Sequence, residues 1–219
     1  MPRSRTTTQA PRIDPIAFGA LAEGDPDRLE RDADLESVQY AGLSLGSLDL
    51  PGALVSSSRF ENVSADETDL KGARLVEVEL DRVNLPVVRA SRTQWRDVRV
   101  NGRLGSLEAY ESQWRGVHFV GCKLSFVNLR GAELLDVAFT DCIIEELDLV
   151  SASARRLRLE GCRVARLNVQ HATLVDVDLR GALLESIDGV TGLQGATISP
   201  EQLMTVAPFL AEGVGIRVE

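Results

Sequence analysis

Between Val117 and Leu184 the chain repeats every five residues. Val117-His118-Phe119 is followed by Cys122-Lys123-Leu124, Val127-Asn128-Leu129, Ala132-Glu133-Leu134, Val137-Ala138-Phe139 and Cys142-Ile143-Ile144. A small or medium apolar residue is answered two positions later by a larger one. That period fits neither the 3.6-residue turn of a helix nor the two-residue alternation of a strand. It requires a chain that turns a corner every five residues and sends two side chains inward between corners.

The same frame extends back to Ala33. Its larger inward residue falls at Leu35, Tyr40, Leu45, Leu50, Val55, Phe60 and so on to Trp95 and Val100. There the frame slips by one residue, in Asn101-Gly102-Arg103, and resumes at Leu104, Ala109, Trp114 and Phe119. A second period supports the first: Cys122, Cys142 and Cys162 are each twenty residues apart, which is four pentapeptides and one square coil. Coils stacked at the β spacing of about 4.8 Å would align the three thiols in one interior column. Trp95 and Trp114 differ by one coil less the slip and should stack; Phe119 and Phe139 should do the same. About eight coils would make a rod roughly 38 Å long.

This pattern resembles that of the pentapeptide-repeat proteins, A-(D/N)-L-x-x, with matches at Ala33-Asp34-Leu35, Thr68-Asp69-Leu70, Val83-Asn84-Leu85, Val127-Asn128-Leu129, Leu147-Asp148-Leu149 and Val177-Asp178-Leu179. The resemblance covers residues 33–198. It implies an all-β fold, a right-handed quadrilateral parallel β-helix, whose coils pair their backbones with the coils above and below.

The flanks carry different signals. Residues 1–12 are polar and patternless and read as a disordered tail. Residues 13–32 read as an N-terminal cap in which Ile13, Ile16, Phe18 and Leu21 cover the open end of the core. Residues 199–219 read as a C-terminal helix and tail. Ser199 is the N-cap, Pro200 the first helical residue and Gln202 the partner of a capping box. Pro208 should kink or divide the helix, Gly213 and Gly215 should end it, and Val214 to Val218 read as a short strand. The stripe Leu203, Met204, Val206, Phe209 and Leu210 is the candidate cap or homodimer contact.

No catalytic, metal-ligating or cofactor-binding set emerges. The buried-thiol reading accounts for the three cysteines, and His118 and His171 fall on outward positions. A filled solenoid has no cleft with convergent polar groups, so a non-enzymatic protein-binding rod is expected. No apolar run approaches a membrane span and no signal segment follows Met1, which reads as a cytoplasmic protein. The net charge of −9 argues against direct nucleic-acid binding.

The resemblance also extends to the Qnr- and MfpA-type members that protect DNA gyrase and topoisomerase IV by imitating a DNA duplex. It implies a type II topoisomerase as partner, met through an acidic face carrying Asp49, Asp69, Glu108, Glu111, Asp148 and Asp188. Residues 33–189 carry 24 acids and 18 bases, a net of −6. A 38 Å length of B-DNA carries about 22 charges, so mimicry by charge alone is far from complete. The alternative is a scaffold of unknown partner that uses an outward apolar patch at Phe126, Ile143 and Leu183.

Overall fold

A computed structural model describes residues 7–217. Parallel strands wind into one right-handed solenoid of about nine turns, with a single helix at the C-terminal end. The ladder Val38, Val78, Val98, Val117, Val137, Leu157, Val177 and Ala196 runs the length of the rod, with Ser58 between Val38 and Val78. The short strand Ala196–Thr197 closes a ninth turn beyond the eight expected.

Both periods describe how the interior is built. The inward residues at five-residue intervals are buried from Leu35 to Leu184, with Leu45 half-buried near the N-terminal end. Trp95 and Trp114 stack with ring centroids 4.8 Å apart, and Phe119 and Phe139 stack at the same separation. Coil spacing and aromatic stacking distance coincide, so a ladder of identical rings gains packing energy beyond area burial. Cys122, Cys142 and Cys162 form the expected column: Lys123 pairs with Ile143 and Ile143 with Arg163, which sets each thiol over the last. Their Sγ atoms donate to carbonyls of the preceding coil, Val100, Phe119 and Phe139, at 3.3–3.5 Å. The Cys142 thiol is pushed up to about 12 by its hydrogen bond with Cys122 and by burial, and Cys162 is raised for the corresponding reasons. Both are protonated thiols at neutral pH.

The slip is visible as a change of register. Leu80 pairs with Val100 but Val83 pairs with Gly102, so one coil crosses the corner in a residue fewer. Gly102 has φ +135°, and a Cβ there would stand 2.2 Å from the Val83 carbonyl oxygen. Only glycine fits. The strands Arg74–Arg89 and Gln94–Glu108 run through this corner without a projecting loop.

The C-terminal helix spans Pro200–Gly213, and its capping box is formed as expected. Gln202 also closes the rod: its Nε2 donates to the Ala182 carbonyl and to the Leu179 carbonyl, which also accepts from the Ala182 amide. Val206 is buried in the core, and Phe209 and Leu210 pack against it. Pro208 does not divide the helix, because the helix is one unbroken element across it. Val214 and Gly215 form a turn instead of starting a strand, and Val218 lies outside the described residues.

The N-terminal flank departs most from expectation. Residues 7–12 are not a loose tail, and Ile13, Ile16 and Phe18 do not close the end of the core. Together they form an extended strap along the outside of the rod, running opposite to the direction in which the coils advance. Thr8 Oγ1 lies 2.5 Å from Thr197 Oγ1 in the last turn. The Gln9 and Arg12 amides donate to Asp176 and Asp136, Phe18 lies under the Arg59 guanidinium, and Ala22–Glu23 pair with Val38–Gln39 in the first turn. The reach is consistent, since fourteen extended residues at about 3.3 Å span the eight steps of about 4.8 Å between those ends. Residues 1–6 lie outside the described residues. Closing the N-terminal end falls to Leu29, packed on the core beside the turn Pro26–Arg28.

Candidate functional site

Since the interior is filled with side chains, the surface is what remains for function. Register places five of the six sequence-selected acids in one column. Asp49, Asp69, Arg89, Glu108, Asn128, Asp148, Asn168 and Asp188 lie over one another on successive coils. Glu111 is not in it; it occupies the adjacent corner, exposed and with φ +56°.

The column is less available than its sequence implies. This position precedes a turn, and its side chain caps that turn. Asp69 Oδ1 accepts from the Lys71 amide, Asn128 Oδ1 from Arg130, Asp148 Oδ1 from Val150 and Asn168 Oδ1 from Gln170. These are the local side-chain-to-backbone bonds that favour Asp and Asn at turns. Asp148 is 0% exposed, covered by Arg130, whose Nε bonds its Oδ2 at 2.7 Å. It therefore cannot meet a partner, and its place in the candidate set is corrected. A position that reads as outward became buried because a long arginine from the same face folded across it.

Cations are interleaved with the remaining acids. Lys71 pairs with Asp69 at 3.3 Å, Arg89 with Glu67 at 2.8 Å and Arg166 with Asp188 at 2.6 Å. Asn128 Nδ2 donates to Glu108 at 2.7 Å. Such exposed pairs contribute little to stability, about 0–1 kcal/mol each, yet they remove the one-signed field that would draw a basic partner from a distance.

The apolar candidates divide. Ile143 and Leu183 are exposed, 51% and 55%, on one column with Arg163 between them, while Phe126 is half-buried. On the C-terminal helix Leu203 and Met204 point outward, at 47% and 78%, whereas Val206, Phe209 and Leu210 face the core. The five-residue stripe is thus two faces, a cap and an exposed pair.

Sequence reasoning missed the strap and its receptors. Asp136 and Arg156 are buried corner residues of adjacent coils, joined by two hydrogen bonds of 2.6 Å. The Arg12 amide adds a third at 2.8 Å. Burial pushes the Asp136 carboxyl up, but the bonds from Arg156 and Arg12 outweigh it, and the net position is below the usual carboxylate range. His118, half-buried beside the strap with Nε2 2.9 Å from Thr140 Oγ1, is held below the ordinary histidine value by burial and by Arg99. The signal was present in the acids at Asp136 and Asp176, but nothing in a five-residue period says what would cover them. Among the described residues, no three His, Cys, Asp or Glu side chains gather as metal ligands, and no helix is long and apolar enough to cross a membrane.

Residues 112–189 match a family model described as a pentapeptide repeat region. A search of curated proteins finds no match. Among solved structures, full-length QnrB1, a plasmid-mediated fluoroquinolone resistance protein, is 17% identical, with 84% of this chain and 100% of that chain covered and a TM-score of 0.33. HetL, a pentapeptide repeat protein involved in heterocyst differentiation regulation from the cyanobacterium Nostoc, is 15% identical, with 72% and 85% covered and a TM-score of 0.23. Residues 112–189 thus carry a pentapeptide repeat region, and the same twenty-residue coil continues on either side of it.

Proposed function

We propose that this protein is a non-enzymatic binding rod that acts in the cytoplasm by presenting its outer faces to another protein. One observation carries the reading: among the described residues, apolar side chains fill the interior of the solenoid from Leu35 to Ile187, so its outer walls are what it offers to a partner. Rigid walls suit recognition, because little conformational freedom is lost on docking.

The finer reading takes a type II topoisomerase as the partner, met through Asp49, Asp69, Glu108, Glu111 and Asp188. Its support is the family resemblance and the continuity of the column over eight coils. The interleaved Lys71, Arg89 and Arg166 weigh against close imitation of DNA. The test is gyrase supercoiling in the presence of a quinolone. Protection at micromolar protein that is weakened by Asp49→Asn with Glu108→Gln supports this partner, and no effect on gyrase removes it while leaving the binding rod in place. Ile143 and Leu183 favour a second reading, a scaffold that docks through apolar contacts. A pull-down lost with Ile143→Asp but kept with Asp188→Asn would select it. The exposed Leu203 and Met204 are the proposed homodimer contact, to be read by sedimentation of Met204→Lys.

A further inference from the structure

The strap has the features of a ligand more than of a structural element. No residue from Thr7 to Leu21 is fully buried, and no helix or strand forms there. The core contains nothing from before Leu29, and the coil-to-coil ladder beneath is continuous without the strap. Attachment is by discrete points: backbone amides at residues 9 and 12 reach carboxylates two coils apart, Asp176 and Asp136. Phe18 meets Arg59 with 5.0 Å between guanidinium carbon and ring centre. A surface that reads backbone amides through fixed acceptors is not particular about whose backbone it is.

The strap also fits imperfectly. Between it and the rod lies a cavity of about 270 Å³, lined in part by Asp14, Ile16, Glu79, Asp97, Arg99 and His118. The chain places Asp14 here, on the same cavity as Asp97. Glu79 is already engaged by Arg59 at 2.7 Å, whereas the cation paired with Asp97, Arg96, stands 3.6 Å away. A longer, positively charged side chain at the position of Asp14 would fill the space and pair with Asp97.

We propose that the track beneath residues 7–23 is a peptide-binding site which the strap occupies in cis, and that its ligand in trans is an extended segment of a partner protein with a lysine or arginine where the strap has Asp14. The inference deepens the protein-binding reading and rests on it, but the acidic column plays no part in it. A tethered strap competes at an effective concentration of order millimolar. The site is therefore closed until a better-fitting segment arrives or the strap is loosened.

The test uses fluorescence anisotropy with labelled peptides of residues 7–21: the native sequence, the Asp14→Lys sequence and a scrambled control. Each is titrated with the full chain and with a full chain carrying Phe18→Ala and Arg12→Pro, changes that remove the ring contact and the amide donated to Asp136. The Asp14→Lys peptide is expected to bind the loosened chain about tenfold more tightly than the intact chain, and more tightly than the native peptide does. Asp176→Asn with Asp97→Asn in the loosened chain should reduce that binding several-fold with far-UV circular dichroism unchanged. Absence of saturable binding to the loosened chain, equal binding of the scrambled peptide, or indifference to the two Asn substitutions would overturn the proposal. None of those results bears on recognition through the acidic column, which the supercoiling assay reads separately.

Discussion

Residues 117–184 and residues 7–23 are held in opposite ways. In the first, inward side chains stack on their equivalents one coil away, so that those with a coil on each side are fixed by two neighbours. In the second, an extended segment touches the rod at a few points, at two carboxylates, a threonine and an arginine, before its last two residues pair with the first turn. Repetition makes the first region cooperative, since removing one layer also strips the packing from the layers beside it. Nothing passes from contact to contact in the second, so its points of attachment should fail one at a time.

The largest expected effect breaks a ladder. Phe139→Ala removes a fully buried ring stacked on Phe119 and should cost about 3–5 kcal/mol in chemical denaturation. A loss under 1 kcal/mol would mean that the column does not hold the coils together. Nearly as large is Asp136→Ala, which leaves Arg156 buried without its carboxylate, at about 3 kcal/mol. The same pair predicts a pH dependence. The folded-state position of Asp136 is depressed, so its contribution is complete above the unfolded carboxyl value near 4 and disappears as pH falls through the lower folded value. Wild-type stability should accordingly fall more steeply with acid than that of the Asp136→Ala variant.

Gly102→Ala sharpens the comparison at the slip. A methyl 2.2 Å from the Val83 carbonyl must displace backbone, and a cost of about 2–3 kcal/mol is expected, read as a lowered urea midpoint. Gln202→Ala uncovers the Ala182 carbonyl, takes one of two donors from the Leu179 carbonyl and removes half of the capping box, for about 1–2 kcal/mol. The smallest effect belongs to the strap: Phe18→Ala should cost under about 1 kcal/mol of global stability while raising amide exchange across residues 7–21. If it destabilises the rod as much as Phe139→Ala does, the distinction between the two regions is lost.

How much could be read from the chain follows the same division. Side chains that repeat announce their place, so the coil, the slip at Gly102 and the stacking of Cys122, Cys142 and Cys162 were all legible. The capping box at Ser199 and Gln202 was legible as well, because its chemistry is local. Asp148 and Asp136 were not. A five-residue frame assigns both to the outside, and their burial depends on Arg130 in one case and on Arg156 and Arg12 in the other. The strap was illegible for a related reason. Its amide donors belong to the backbone and leave no mark on residue type, and Ile13, Ile16 and Phe18 suit the side of a rod as well as its end.

Hydrogen exchange measured by mass spectrometry on the intact chain tests the account most directly, because one experiment reads both regions. Amides of the stacked coils, from Val117 to Leu184, should exchange only on global unfolding, while those of residues 7–21 should exchange by local release orders of magnitude sooner. Equal protection of the strap and the coils would contradict a rod that is complete without its cover, and rapid exchange along the Cys122, Cys142 and Cys162 column would contradict the stacked interior itself.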